Sequence, residues 1–257
     1  MSTGESENTL KNWGFLIVLA LVWGSSFILI KRGLNVFSPG ELGAYRIVAA
    51  ATFLLPLSIP KVKNLKSHQI QNLILVGLVG SFIPAFLFAK AQTQLSSSLT
   101  GVLNALTPLF VVLVGAIFFN SKITRRNAIG LFIAFLGVVV LVTVKEGSGF
   151  GAFSDINAYA FFVILACTCY GFNLNLIKFR FVELKPVEIT AISLLMVLPA
   201  ALIYLIAGTQ FSYKLVSVEG AWTALGYVTL LGVLGTALAL IIFNMMVKTA
   251  SPVFASS

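Results

Sequence analysis

Polar residues are sparse along this chain and fall in bunches. Between the bunches run eight predominantly apolar stretches, at 13–30, 44–59, 70–89, 99–119, 128–144, 157–177, 189–207 and 221–247. Each approaches the roughly 20 residues that a helix needs to cross the hydrocarbon core of a bilayer. None shows the ten-residue alternation of a transmembrane β-strand. Helices are therefore expected, because a helix satisfies its own backbone polar groups where no water is available. The first stretch is too long for the apolar region of a cleaved leader, and Glu5 and Glu7 precede it in place of a basic cluster. It is expected to remain as the first span.

Composition agrees with this pattern. Of 257 residues, 58% are apolar and 10% charged, whereas a soluble domain carries about a quarter charged residues to wet its surface. A cytosolic enzyme, a disordered chain and a disulfide-stapled secreted module are excluded. The two cysteines, Cys167 and Cys169, are too close in a helix to bond without distortion. A net charge of +9 would suggest nucleic acid as a partner of a soluble protein. Here the basic residues sit in the gaps between apolar runs, so the expected partner is the lipid bilayer and no nucleic acid. With the N-terminus in the cytoplasm, Lys11, Lys61, Lys63, Lys66, Lys122, Arg125, Arg126, Lys178, Arg180, Lys185 and Lys248 fall inside. Lys31, Arg32, Lys90, Lys145 and Lys214 fall outside. That excess predicts an N-in protein of the plasma membrane, the inner membrane in a bacterium.

The chain also repeats. At an offset of 147 residues Trp23-Gly24 falls on Tyr170-Gly171, Lys31 on Lys178, Pro39 on Pro186 and Glu41 on Glu188. Proline and glutamate suit a helix start on local grounds alone, but local physics does not produce the equal spacing to lysine and glycine. The repeat unit holds five spans. Five is odd, so the second copy enters the membrane from the opposite face, and a substrate site is expected between the halves near the midplane. The predicted organisation is a cytoplasmic tail at 1–12, a first five-helix repeat at 13–144, a connecting loop at 145–156, and an incomplete second repeat at 157–257. Residues 251–257 align with 97–103, so eight complete spans of an expected ten are anticipated, and counterparts of 104–144 are expected beyond residue 257.

Trp23-Gly24-Ser25-Ser26-Phe27 with Lys31, then Ser38-Pro39, Arg46, Leu106-Thr107-Pro108-Leu109-Phe110, Gly130 and Gly137 form an ordered set. Over almost the whole chain this set resembles the EamA branch of the drug/metabolite transporter superfamily. The resemblance implies two inverted five-helix halves, cytoplasmic ends and the movement of small metabolites. One departure is visible: where the family commonly has a Gly-Glu-Arg-like turn after span four, this chain has Asn120-Ser121-Lys122. No role of that glutamate is carried over.

All eight acidic residues lie in the tail, the loops or the span ends, so no carboxylate offers itself as an intramembrane proton carrier. Arg46 is the deepest charge. It either faces a lumen or anchors the helix with Glu41 or a lipid phosphate as its partner. Lys90, ending span three, either snorkels outward or faces a vestibule. Trp23, Ser25, Ser26, Asn104, Thr107, Asn173, Asn175 and Asn244 are the polar side chains within spans. Each serves as interhelical glue or as cavity lining. Ser26 and Asn173 are repeat mates, and Lys90 and Asn244 match at an offset of 154. The candidate substrate-binding set is Trp23, Ser26, Arg46, Lys90, Asn104, Tyr170, Asn173 and Asn244. Pro84, Pro108 and Pro199 are expected to kink their helices.

The sequence contains no metal-ligand spacing, phosphate-cradling loop or nucleophile–base arrangement. No catalytic residue, metal or cofactor is therefore expected, which argues against an intramembrane enzyme. The expected function is secondary transport of a small-molecule substrate, a metabolite or amino acid, by alternating access and in the export direction. The cation-bearing, carboxylate-free wall favours anionic or zwitterionic substrates. A lipid-flipping or non-transporting membrane subunit is the alternative, and a homodimer is compatible with either.

Overall fold

The computed structural model describes residues 3–63, 65–145, 149–150, 157–181, 183–250 and 252–256. These form helices α1 (Thr3–Gly33), α2 (Pro39–Val62), α3 (Ser67–Ala91), α4 (Ser97–Phe118), α5 (Arg125–Thr143), α6 (Ala160–Arg180), α7 (Pro186–Ala207), α8 (Phe211–Ser217), α9 (Ala221–Thr249) and α10 (Pro252–Ser256). A two-residue ladder, β1 (Val144–Lys145) with β2 (Gly149–Phe150), starts at the last residue of the expected first repeat and continues into the stretch expected as a connecting loop. Glu146 and Asp155 lie outside the described residues.

Among the described residues, seven helices are long and apolar enough to cross a membrane: α2, α3, α4, α6, α7, α9 and the Leu10–Gly33 part of α1. The protein is an all-α polytopic membrane protein. The eighth expected span lies in α5, whose apolar stretch Asn127–Val140 is shorter than the others. Helix α1 begins at Thr3, within the stretch expected as a cytoplasmic tail, and runs unbroken into the first span. Ile129, Phe132 and Ile133 on α5 and Ile17 and Leu21 on α1 are exposed, as side chains bordering lipid tails should be.

The Pro-x-Glu signal marks helix starts in both halves. At α2, Ser38 Oγ accepts from Glu41 N at 3.3 Å while Ser38 N donates to Glu41 Oε2 at 2.7 Å, a reciprocal cap on a helix opening with proline. At α7, Lys185 N donates to Glu188 Oε2 at 3.0 Å, so the carboxylate half of the cap is kept. Among the described residues α2 and α7 share the most extensive helix–helix contact. The pairing of other helices crosses between halves, with α1 and α2 packing on α9, and α6 and α7 packing on α3.

Two departures from α-helical bonding are invisible in the hydropathy pattern. α3 contains a π-helical segment at Leu78–Phe82 and α9 one at Val233–Leu238. Such wider turns are rare and concentrate at functional sites. The sequence explains their correspondence: Gly77-Leu78-Val79-Gly80-Ser81 and Gly232-Val233-Leu234-Gly235-Thr236 have the same pattern 155 residues apart.

Candidate functional site

The segments that carry these bulges meet the rest of the bundle around one cavity. Its enclosed volume is about 100 Å³, smaller than the roughly 300–1,000 Å³ of drug-sized ligand pockets. Six of the eight candidate residues line it: Trp23, Ser26, Arg46, Asn104, Tyr170 and Asn173. Phe27, Gly80, Ser81, Phe88, Thr107, Gly235, Thr236 and Phe243 contribute to the same wall.

The contacts around this cavity come in repeat-related pairs. Trp23 sets its ring edge-on to Phe243, with centroids 4.9 Å apart, and Tyr170 stacks on Phe88 at 6.0 Å. A Cβ on Gly80 would stand 2.6 Å from Asn173 Oδ1, and one on Gly235 2.7 Å from Ser26 Oγ. A Cβ on Gly232 would stand 2.8 Å from the Arg46 carbonyl oxygen, and one on Gly77 would meet the Ser193 carbonyl oxygen. In every case α1 corresponds to α6, or α2 to α7, at an offset of 147, and α3 corresponds to α9 at 155. Glycine is required at these points because two helices meet there with no room for a methyl group.

Hydrogen bonds fix the individual side chains. Trp23 Nε1 donates to the Gly235 carbonyl at 2.9 Å, which gives a half-buried indole N–H the partner it needs. Arg46, 9% exposed, donates from Nε to Thr236 Oγ1 at 2.7 Å. Thr236 in turn donates to the Leu231 carbonyl at 3.2 Å, leaving a hydroxyl lone pair for the guanidinium. A hydrogen bond to a charged group of this kind contributes about 1.5–3 kcal/mol. Ser26 Oγ donates to the Val22 carbonyl at 2.7 Å. Thr107 Oγ1 donates to the Asn104 carbonyl at 2.7 Å, at the point where α4 is interrupted between Asn104 and Thr107. Asn173 Oδ1 is buried and accepts no hydrogen bond among the described residues.

The structure separates the remaining candidates from the cavity. Glu41 does not partner Arg46. It pairs with Lys214 at 2.7 Å, because its duty as a helix cap holds it at the start of α2. Lys90 is exposed, its Nζ 5.7 Å from the Tyr159 ring. Asn244 is buried against α7, donating from Nδ2 to Thr190 Oγ1 at 2.8 Å. The offset of 154 that joined these two is one residue short of the packing register, and one residue turns a helix by about 100°. Asn175 is interhelical glue, donating to the Val111 carbonyl at 2.9 Å and to the Gly171 carbonyl at 2.8 Å. Ser25 is exposed and bonds back to Val22. Among the described residues no group of three His, Cys, Asp or Glu side chains could hold a metal ion.

Ser81, Thr236, Phe88 and Phe243 were not among the sequence candidates. Their signal was the recurrence of Gly-x-x-Gly followed by a hydroxyl residue, with a phenylalanine seven positions beyond that hydroxyl in each copy.

The fold is thus a polytopic helical membrane bundle with a small, partly polar cavity lined by helices from both halves. The EamA-like transporter family pattern matches residues 12–143, half of the chain, and the chain belongs to that family. An "Uncharacterized transporter" of Archaeoglobus fulgidus is 30% identical over 132 residues, covering 51% of this chain and 48% of the relative. A "Probable amino-acid metabolite efflux pump" of Salmonella typhimurium is 30% identical over 132 residues, 50% of this chain and 42% of the pump. The "Uncharacterized inner membrane transporter YedA" of Escherichia coli K12 is 24% identical over 256 residues, 95% of this chain and 77% of YedA. The matched regions of the first relatives span about half their length. One solved crystal structure superposes with a TM-score of 0.59 at 17% identity, over 97% of this chain and 86% of that one, and shares the fold. These family and relative names are those of transporters, not of enzymes.

Proposed function

We propose that this protein is a secondary transporter that exports a small organic metabolite or amino acid through the central cavity by alternating access. Its place is the plasma membrane, the inner membrane of a bacterium, with the N-terminus in the cytoplasm. The observation that carries the reading is the repeat-paired construction of the cavity, in which each half supplies one ring to each of two aromatic pairs and one π-helical bulge. A site built equally from two inverted halves is reached from one face or the other as the halves rock about it. The names of the efflux-pump relatives support the outward direction.

The α2–α7 pair supplies a contact for each face. Glu41 at the start of α2 pairs with Lys214 just beyond α7, and Glu188 at the start of α7 pairs with Lys61 at the end of α2 at 3.2 Å. Each bridge joins one half to the other, and the two lie at opposite ends of the pair. Opening one face would release one bridge while the other holds.

Counterflow of radiolabelled amino acids and small carboxylates into proteoliposomes tests the proposal. Saturable exchange of at least one solute is expected, reduced by Arg46→Ala and by Asn104→Leu without loss of membrane insertion. If no solute in the panel exchanges, the reading gives way to a lipid-flipping or non-transporting subunit.

A further inference from the structure

A second cavity, of about 460 Å³, shares no lining residue with the central one. It lies where α4 and α6 end side by side, their Phe119 and Phe179 rings stacked at 5.5 Å, and where α5 begins. Pro252, Val253 and Phe254 of α10 line this cavity, whereas Ser256 lines the central one. Val111, Val112 and Phe254 give it an apolar wall, and Lys122, Lys178 and Asn127 a polar rim. None of the described residues lining it is acidic.

The ordinary duty of lysines at such a place is to satisfy the last carbonyls of a helix. Lys31, the repeat mate of Lys178, does this at the end of α3, donating from Nζ to the Gln92 carbonyl at 2.8 Å. Lys178 does not. Its Nζ stands 5.1 Å from the ring of its neighbour Phe179, and it makes no hydrogen bond or ion pair among the described residues. Lys122 makes none either, because α4 is closed by its own backbone. Asn120 turns the chain with φ 51°, and Phe119 N and Ser121 N donate to the Gly115 carbonyl at 3.1 and 2.9 Å. α5 then opens with Thr124 Oγ1 accepting from Asn127 N at 3.2 Å, and its N-terminal dipole adds positive potential on the same side.

We infer that this cavity holds the headgroup of an anionic phospholipid, its phosphate between Lys122 and Lys178 and the start of an acyl chain against Val111, Val112 and Phe254. Two lysines beyond the ends of membrane-spanning helices put their charge at the depth where lipid phosphates lie, and basic pockets between such helices suit anionic headgroups. Ile117, Phe118 and Phe179, at the same helix ends, are exposed apolar side chains that meet the rest of the lipid. A zwitterionic headgroup fits worse, because it brings its own cation against the second lysine.

Photo-crosslinking in nanodiscs tests this, with a benzophenone amino acid replacing Ile123, which lines the cavity. The full chain is placed in phosphatidylcholine discs carrying the same small fraction of radiolabelled phosphatidylglycerol or radiolabelled phosphatidylcholine. Phosphatidylglycerol should label roughly tenfold more strongly. Lys122→Gln and Lys178→Gln should each lower that ratio roughly fivefold, and together bring it close to one, whereas Lys122→Arg and Lys178→Arg should keep it. The ratio is read only on protein inserted in discs, so it is independent of yield. The same probe replacing Ile203, exposed on α7, should show no preference. Excess glycerol 3-phosphate should leave the labelling unchanged. Equal labelling by the two lipids, or a ratio unmoved by the double glutamine variant, overturns the lipid site. Displacement by glycerol 3-phosphate overturns it too, in favour of a site for a soluble phosphate ester.

Discussion

Gly80 and Gly235 do the same work in different halves, each letting a cavity side chain sit against a bulge. Replacing either by alanine forces a methyl group to within 2.6 or 2.7 Å of Asn173 or Ser26. Overpacking of this kind destabilises by about 1–3 kcal/mol. Thermal unfolding in detergent should show Gly80→Ala and Gly235→Ala clearly lowered. Gly226→Ala, with nothing within 4 Å of the added carbon, should stay near the parent protein. At this scale the sequence told part of the story. A charge as deep as Arg46 and an asparagine inside a span, Asn173, announce themselves, because hydrocarbon tolerates neither without a reason. Their partners do not. That Thr236 rather than Glu41 holds Arg46 depends on a register between α2 and α9 that no local pattern contains.

The helices themselves were legible because a bilayer demands long apolar runs, and the starts of α2 and α7 because proline and glutamate suit a helix N-terminus. The π-helical segments were not, since an i→i+5 turn leaves hydropathy unchanged. Their glycine pattern becomes informative only once the two copies are aligned at 155. The pairing of Lys90 with Asn244 at 154 is one residue out of the 155 register for the same reason, and neither lines the cavity. The end contacts of α2 and α7 differ in a way that can be measured. Glu41 is 2% exposed and joins a cap to a half-buried bridge, whereas Glu188 and Lys61 are more open to solvent. Glu41→Ala should destabilise by about 2 kcal/mol, with a lost cap and an unpaired lysine. Glu188→Ala should cost roughly 1 kcal/mol, as expected for a screened pair and a partial cap. Chemical denaturation of the two variants in one detergent gives the comparison, and equal losses would contradict it.

The whole molecule is a bundle in which helices of one half pack on those of the other, so the cavity belongs to neither half alone. The proposed inverted repeat of five spans makes a topological prediction. In a background lacking Cys167 and Cys169, single cysteines replacing Ser67 and Val216 should react with an impermeant thiol reagent from opposite faces of the membrane. Same-side labelling would contradict the inverted arrangement. The central claim, that solute passes through the cavity shared by both halves, is tested most directly by a cysteine at Ser81, which lines that cavity within the α3 bulge. In proteoliposomes the account predicts that Ser81→Cys labels from either face, that transported solute slows the labelling, and that flux falls in proportion to the fraction labelled. Full flux through completely labelled protein would contradict it.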